Sequence, residues 1–177
     1  MLEISTEEKL KERIKELTCL FDISKTIGKN ELSSELILKE ICENVKIAWR
    51  FPSESIVELK LNNFYHSTSE LPQEAMFQIS QIDLFEKEAG FIKVLYPVNE
   101  NFYFLDEEQK LLEKVALEIS GYIEKSINKE KEKQFQRSVE RVDRLSILGE
   151  ITAGIAHELN TPLGNILGFA ELIKEQN

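Results

Sequence analysis

The apolar positions change their spacing twice along the chain, and the changes divide it into helices, a sheet and a long closing helix. From Ser5 to Ile27 they recur every three or four residues, at Leu10, Ile14, Leu17 and Phe21, with Leu20 and Ile23 beside them. That is the period of an amphipathic helix, and these residues are its expected core stripe. Ser5 or Thr6, followed by glutamates, offers an N-terminal cap, and Gly28-Lys29-Asn30 a stop. A second helix is predicted over residues 33–48, capped by Ser33 or Ser34, with Leu36, Ile37, Ile41, Val45 and Ile47 as its apolar side. Trp49-Arg50-Phe51-Pro52 breaks that run.

From Ser55 to Tyr96 the period shortens toward two, the mark of strands. Val57, Leu59 and Leu61 alternate with Ile56, Glu58 and Lys60; Asn62-Asn63 makes a turn and residues 64–69 return as a hairpin partner. Ala75 to Phe85 alternates again through Phe77, Ile79, Ile82 and Leu84, and Ala89 to Tyr96 follows. Gly90 marks either the turn or a close backbone approach. After a loop over residues 97–101, Asp106 is placed to cap a helix whose first-turn carboxylates suit the positive end of the dipole. Leu111, Leu112, Val115, Ile119, Tyr122 and Ile123 are its core face. Two helices, four strands and a closing helix predict an α+β fold, an antiparallel sheet with helices packed on one face.

Residues 124–144 are crowded with charges of both signs, which fits a solvated linker helix and is compatible with a coiled coil whose apolar seam is thin at Ile123, Ile127 and Phe135. The seam then returns at Val142, Leu145, Gly149, Thr152, Ala156, Leu159, Leu163, Ile166, Ala170 and Ile173, spaced alternately three and four. Leu148, Ile155 and Phe169 widen the stripe, as a four-helix bundle built by two subunits requires. Gly149, Gly154, Gly164 and Gly168 together cost an isolated helix about 2–4 kcal/mol against alanine, so packing on a partner has to compensate. Pro162 lacks an N–H and crowds the carbonyl of Glu158, but the apolar period runs on past it, so a kink is expected rather than an end.

Charge and composition narrow the field. The 177 residues carry a net charge of −10 with a sequence pI near 4.9, and no basic stripe exists to neutralise nucleic-acid phosphates. No run of about 18 apolar residues is present to span a bilayer, and the polar N-terminus is unlike a signal peptide. Cys19 and Cys42 sit inside apolar helical patterns and are expected to be reduced core residues, in keeping with a cytoplasmic protein.

The candidate chemistry lies in the last helix, in the run H-E-L-N-T-P-L from His157. Histidine's near-neutral pKa leaves much of the ring unprotonated and nucleophilic. Glu158 could accept a hydrogen bond from one ring nitrogen and leave the other lone pair for a phosphoryl group. Thr161 lies one turn beyond His157 on the same side. In the seam register His157 falls just outside the interface, open to solution. Zinc binding of the H-E-x-x-H kind is excluded because the fifth position is Thr161, and the chain's other histidine, His66, offers no zinc spacing.

With its lead-in R-L-S-I-L-G-E-I-T-A-G-I-A, this segment resembles the H-box of two-component sensor histidine kinases, the first helix of their dimerisation and phosphoacceptor (HisKA) domain. The resemblance implies that a parent enzyme phosphorylates His157 from ATP and passes the group to an aspartate of a response regulator. It implies that Glu158 orients the ring, and that the threonine at position 161 positions water for dephosphorylation of that regulator. Residues 10–125 resemble a GAF domain, in the A-W-R-F-P lead into the first strand, G-F-I-K-V-L-Y-P and F-L-D-E-E-Q-K-L-L-E-K-V-A; a PAS domain shares the architecture but places more helix in mid-sequence. Residues 1–125 are thus expected to be a GAF-like sensor domain, 126–144 a charged coiled-coil linker, and 145–177 an incomplete phosphoacceptor domain. The expected partners are a second copy through the C-terminal helix, a response regulator and an ATP-binding kinase domain absent from these residues, with no nucleic acid. ATP and magnesium belong to that missing domain; no cofactor is expected in this stretch, which alone should be inactive. A small-molecule ligand is left open. His66, Trp49 and Phe102-Tyr103-Phe104 could line its pocket, though they fit core positions better, and the loop at residues 70–74 is too short for the lid such domains carry. The alternative is a non-enzymatic GAF-type dimerisation or ligand-binding module with an adaptor helix.

Overall fold

The computed structural model describes residues 6–29, 33–99 and 101–175. The candidate caps at Ser5 and the Thr6 side chain, Asn30 of the stop signal, and the side chains of Phe169 and Ile173 lie outside the described residues. The chain divides into two compact units after Ile127.

The first unit contains α1 (Thr6–Ile27), α2 (Ser34–Ala48), β1 (Ile56–Leu61), β2 (Phe64–Ser67), β3 (Ala75–Leu84), β4 (Lys87–Pro97) and the beginning of α3 (Asp106–Glu175). The strands form one antiparallel sheet in the order β2-β1-β4-β3. Alternation decides what each strand buries. Val57, Leu59 and Leu61 of β1 and Ile92, Val94 and Tyr96 of β4 point into the core, and Ile82 and Leu84 join them from β3. Phe77 and Ile79 sit on the opposite, outward face of β3 and remain exposed, so the four apolar residues read as one strand pattern serve two faces. On that outer face Lys93 pairs with Glu58 at 3.0 Å and lies over the rings of Phe77 and Phe91.

Helix α2 starts at Ser33, whose hydroxyl accepts a hydrogen bond from Leu36 N at 3.4 Å. It buries Ile37, Leu38, Ile41, Cys42, Val45 and Ala48, while Leu36 and Ile47 point outward against expectation. The larger correction concerns α1. Its core face is Cys19, Ile23 and Thr26, with Leu20 and Ile27 at the margin. Ile23, Leu20 and Cys19 are thus on the core side as expected, but the rest of the stripe is exposed: Leu10 60%, Ile14 55%, Leu17 54% and Phe21 68%. At about 100° per residue the two sets lie on opposite sides of the helix. Two apolar faces at helical spacing cannot be ranked by period alone, and the larger side chains drew the expectation to the wrong one.

Helix α3 closes the core with Leu111, Leu112, Val115, Ala116 and Ile119, and with Tyr122 and Ile123 partly buried, as its period predicts. Its cap differs from expectation. Asp106 is already helical, and the bond comes from Glu108, whose Oε2 accepts from Leu105 N at 2.8 Å. Its Oε1 accepts from Arg50 N, also at 2.8 Å, so one carboxylate ties the end of the α2 segment to the start of α3. Burial pushes the Glu108 carboxyl above its ordinary range, opposed by these two backbone donors. Arg50 also lies over the Tyr103 ring at 4.8 Å. Trp49 is fully buried, and Tyr96 stacks on Phe104 at 4.6 Å. Cys19 and Cys42 are buried free thiols, each pushed up to about 12 by burial.

The choice left open at Gly90 is settled as a close approach. The β3–β4 turn is Phe85-Glu86, both at positive φ (52° and 63°) between the pair Leu84 and Lys87, a two-residue hairpin loop without the usual Asn or Gly. Gly90 pairs with Leu61, and a Cβ there would lie 1.9 Å from the Lys60 carbonyl oxygen. Gly90→Ala is therefore expected to lower the urea midpoint by the equivalent of about 1–3 kcal/mol, because the β1–β4 backbones must separate. Gly121→Ala, where an added Cβ meets nothing within 4 Å, should leave stability equal or higher.

Candidate functional site

The second unit is helical from Asn128 to Glu175, and every residue from 128 to 168 is exposed. Its apolar side chains have no cover within one copy: Val142 is 64% exposed, Leu145 60%, Leu159 57%, Leu163 54% and Ile166 63%. Ile147, Ile151 and Leu167 are exposed as well and broaden the apolar arc beyond the stripe read from the seam. Over residues 145–168 a helical projection at about 100° per residue leaves one arc without large apolar groups. That arc carries Ser146, Glu150, Ala153, His157, Thr161, Gly164 and Gly168. His157 stands in the middle of it, flanked by small side chains, and nothing in the helix hinders approach to its ring.

His157, Glu158 and Thr161 thus come together on a few turns of helix, but not as one contact set. Thr161 faces the same side as His157, and its hydroxyl donates to the His157 carbonyl oxygen at 3.2 Å. Glu158, as the next residue, is turned by about 100° around the axis, and among the described residues no hydrogen bond joins it to the ring. The helix runs through Pro162 without ending. Pro162 has no N–H to offer the Glu158 carbonyl, so two consecutive carbonyls depart from the regular ladder: His157's gains a hydroxyl donor and Glu158's lacks its amide. Thr152 and Ser138 make the same back-bond, to Leu148 O at 2.7 Å and Gln134 O at 3.0 Å. Such bonds loosen and bend helices slightly. Sequence reading missed them because only side-chain rotamers reveal them.

The other candidate residues are structural in placement. Trp49, Phe102 and Phe104 fill or border the core, and Tyr103 sits half-exposed under Arg50. A cleft of about 190 Å³ lies among α1, the end of α2 and the start of α3, lined by Glu12, Arg13, Glu16, Leu105, Glu108 and Leu111, and none of the aromatic candidates touches it. Among the described residues no group of three or more His, Cys, Asp or Glu could hold a metal ion, and no helix is long and apolar enough to cross a membrane.

Residues 147–177 match the family model of the His Kinase A (phospho-acceptor) domain. A 44-residue stretch, 25% of the chain, is 41% identical to the signal transduction histidine-protein kinase AtoS of Escherichia coli (strain K12). The C-terminal helix carries a histidine kinase phosphoacceptor region. The stretch spans 7% of that relative's length.

His66, on β2, is half-buried beside Phe64. Burial, with Lys39 nearby, pulls its pKa below 6.5, and Glu43 opposes the shift. A histidine depressed in the folded state contributes stability that is present above its unfolded value and is lost as pH falls through the folded one. The urea midpoint should therefore fall on acidification below about 6.5, and the slope should flatten in His66→Gln; the ring's own titration is followed by NMR.

Proposed function

We propose that this chain is the sensor and phosphoacceptor portion of a two-component histidine kinase. Supporting this most directly, the matched phosphoacceptor region includes His157, and His157 stands on the helix arc free of large apolar groups. In the proposed reaction one ring nitrogen of His157 attacks the γ-phosphorus of ATP. The bond to the bridging oxygen breaks, ADP leaves, and the ring keeps the phosphoryl group as an acid-labile phosphoramidate. Glu158 would accept the N–H of the opposite ring nitrogen and stabilise charge on the imidazole, after a rotation of its side chain toward the ring. An aspartate of a response regulator then takes the phosphoryl group from nitrogen to carboxylate oxygen. ATP and its magnesium ion would be held by a separate kinase domain. The apolar arc around the remaining circumference suits a bundle with a second copy.

In the same proposal the first unit is a GAF-like sensor. An antiparallel sheet with all its helices on one face supports this, as do the short segments quoted above. Residues 126–144 would be the coiled-coil linker between sensor and phosphoacceptor. Thr161 would position water for dephosphorylation of the regulator, for which its hydroxyl must turn from the His157 carbonyl.

His157→Gln, assayed with ATP in the protein with its complete kinase region, is expected to abolish acid-labile phosphorylation; incorporation that persists at the wild-type level would overturn the assignment. Thr161→Ala is expected to keep autophosphorylation within about twofold and to slow regulator dephosphorylation roughly tenfold or more, the size of effect lost with a group that positions a reacting water. Unchanged phosphatase activity counts against the role.

A further inference from the structure

We infer that the cleft walled by α1, the end of α2 and the start of α3 is a binding site for a small organic cation, a primary ammonium ion on a short hydrocarbon chain. The site lies wholly within the first unit and stands whether or not α3 is a phosphoacceptor.

Acidity alone would not make a site, since a charged run is usually a solvated face. Here it coincides with a cavity and a buried charge. The cleft holds about 190 Å³, and Ala48, Leu105 and Leu111 give it apolar walls. Glu108 lines it although only 4% of that residue is exposed. Each Glu108 oxygen accepts one backbone amide, from Arg50 or Leu105, and each keeps a second acceptor position. Among the described residues no cation pairs with Glu108, whereas the cleft's carboxylates on α1 are answered. Glu12 meets Lys15 at 3.2 Å, and Glu16 meets Arg13 and, at 2.7 Å, Lys114. The Glu12 charge acts on Glu108 across the cleft and opposes its ionisation, in the same direction as burial; Lys15 acts the other way, more weakly. A buried carboxylate with a like charge beside it and no counterion is the arrangement that a bound cation relieves.

The class of cation follows from the walls and the size. A divalent metal does not suit the cleft, because among the described residues no three His, Cys, Asp or Glu groups are placed to hold one. The volume is below the roughly 300 Å³ at which pockets for drug-sized ligands begin, so only a short chain fits. An ammonium group has three donors, which match Glu108 and Glu12 with one to spare. Its chain would lie along Leu105 and Leu111. The start of α3 opposes a cation with a charge equivalent to about +0.5, but Asp106, Glu107 and Glu108 in that first turn outweigh it.

The experiment titrates n-butylammonium chloride into the 177-residue chain and follows the methyl groups of Leu105 and Leu111 by NMR. Their resonances should shift and saturate. 1-Butanol, of similar shape without the charge, should bind at least about tenfold more weakly, the worth of a hydrogen bond to a charged group. Butanoate and magnesium should leave both methyls unmoved. Glu108→Gln should weaken n-butylammonium at least about tenfold, and Glu12→Gln, which keeps the Glu108 clasp, about threefold or more. Glu118→Gln, exposed on α3 outside the cleft, should leave the constant unchanged. If Glu108→Gln fails to fold, Glu12→Gln decides. As a second measurement, the Glu108 carboxyl carbon is titrated. Burial holds that carboxyl above its ordinary range, with Glu12 and Lys15 of α1 and Tyr96 of β4 the other titratable groups in its reach. Saturating n-butylammonium should move its midpoint down, because a neighbouring cation favours the ionised form. No saturable shift, equal affinity for 1-butanol, saturable binding of magnesium, an affinity unchanged in Glu12→Gln, an equal loss in Glu118→Gln, or an unmoved Glu108 midpoint each overturns the inference.

Discussion

A helix can turn only one side toward the sheet it packs on, and this constraint organises the first unit. α3 gives its Leu111, Leu112, Val115 and Ile119 side to the sheet. α1 gives Cys19, Ile23 and Thr26 to the core, where Cys19 and Thr26 meet Asn44 of α2. Whatever apolar surface either helix carries on its other side is left to solvent or to a partner. Burial of these inward side chains with those of β1 and β4 contributes at about 25 cal/mol per Å² of apolar area. The Glu108 carboxylate then fixes where α3 begins relative to Arg50, satisfying one amide at the start of α3 and one just past the end of α2.

In the second unit the same constraint acts with nothing to pack against in a single copy. Its apolar arc is wide, its glycines weaken the isolated helix, and His157 occupies the arc that packing would leave free. In the proposed function chemistry and assembly thereby use different sides of one cylinder. Under the proposed function His157 has to meet a nucleotide and later a regulator, which a seam residue could not do, and the heptad count places it one step away from the seam.

Much of this was legible in the residues. The order of elements, the Ser33 cap, the inward sides of β1 and β4, and the core face of α3 all follow from period and from cap chemistry. The phosphoacceptor segment was legible because seven consecutive residue types with a matching lead-in leave little room for coincidence. Three features were not legible, each for a physical reason. The core side of α1 was read only in part, at Cys19 and Ile23, because the helix is apolar on two sides and the outward one is richer in leucine and phenylalanine. The β3–β4 turn was hidden because Phe85 and Glu86 hold positive φ without a turn residue, a conformation held by pairing on either side. Glu108 was not singled out as the cap because its second acceptor site serves Arg50, 58 residues earlier in the chain.

Trp49 is the chain's single tryptophan, and it is fully buried in the first unit with its indole N–H lacking an acceptor among the described residues. The protein therefore carries a built-in optical label on one unit alone. Its emission starts from an apolar, water-free setting and moves to longer wavelength only when that core opens. Fraying of the helix that bears His157 leaves no trace in it, so the ratio of tryptophan signal to helical ellipticity separates the melting of the two units without any added probe.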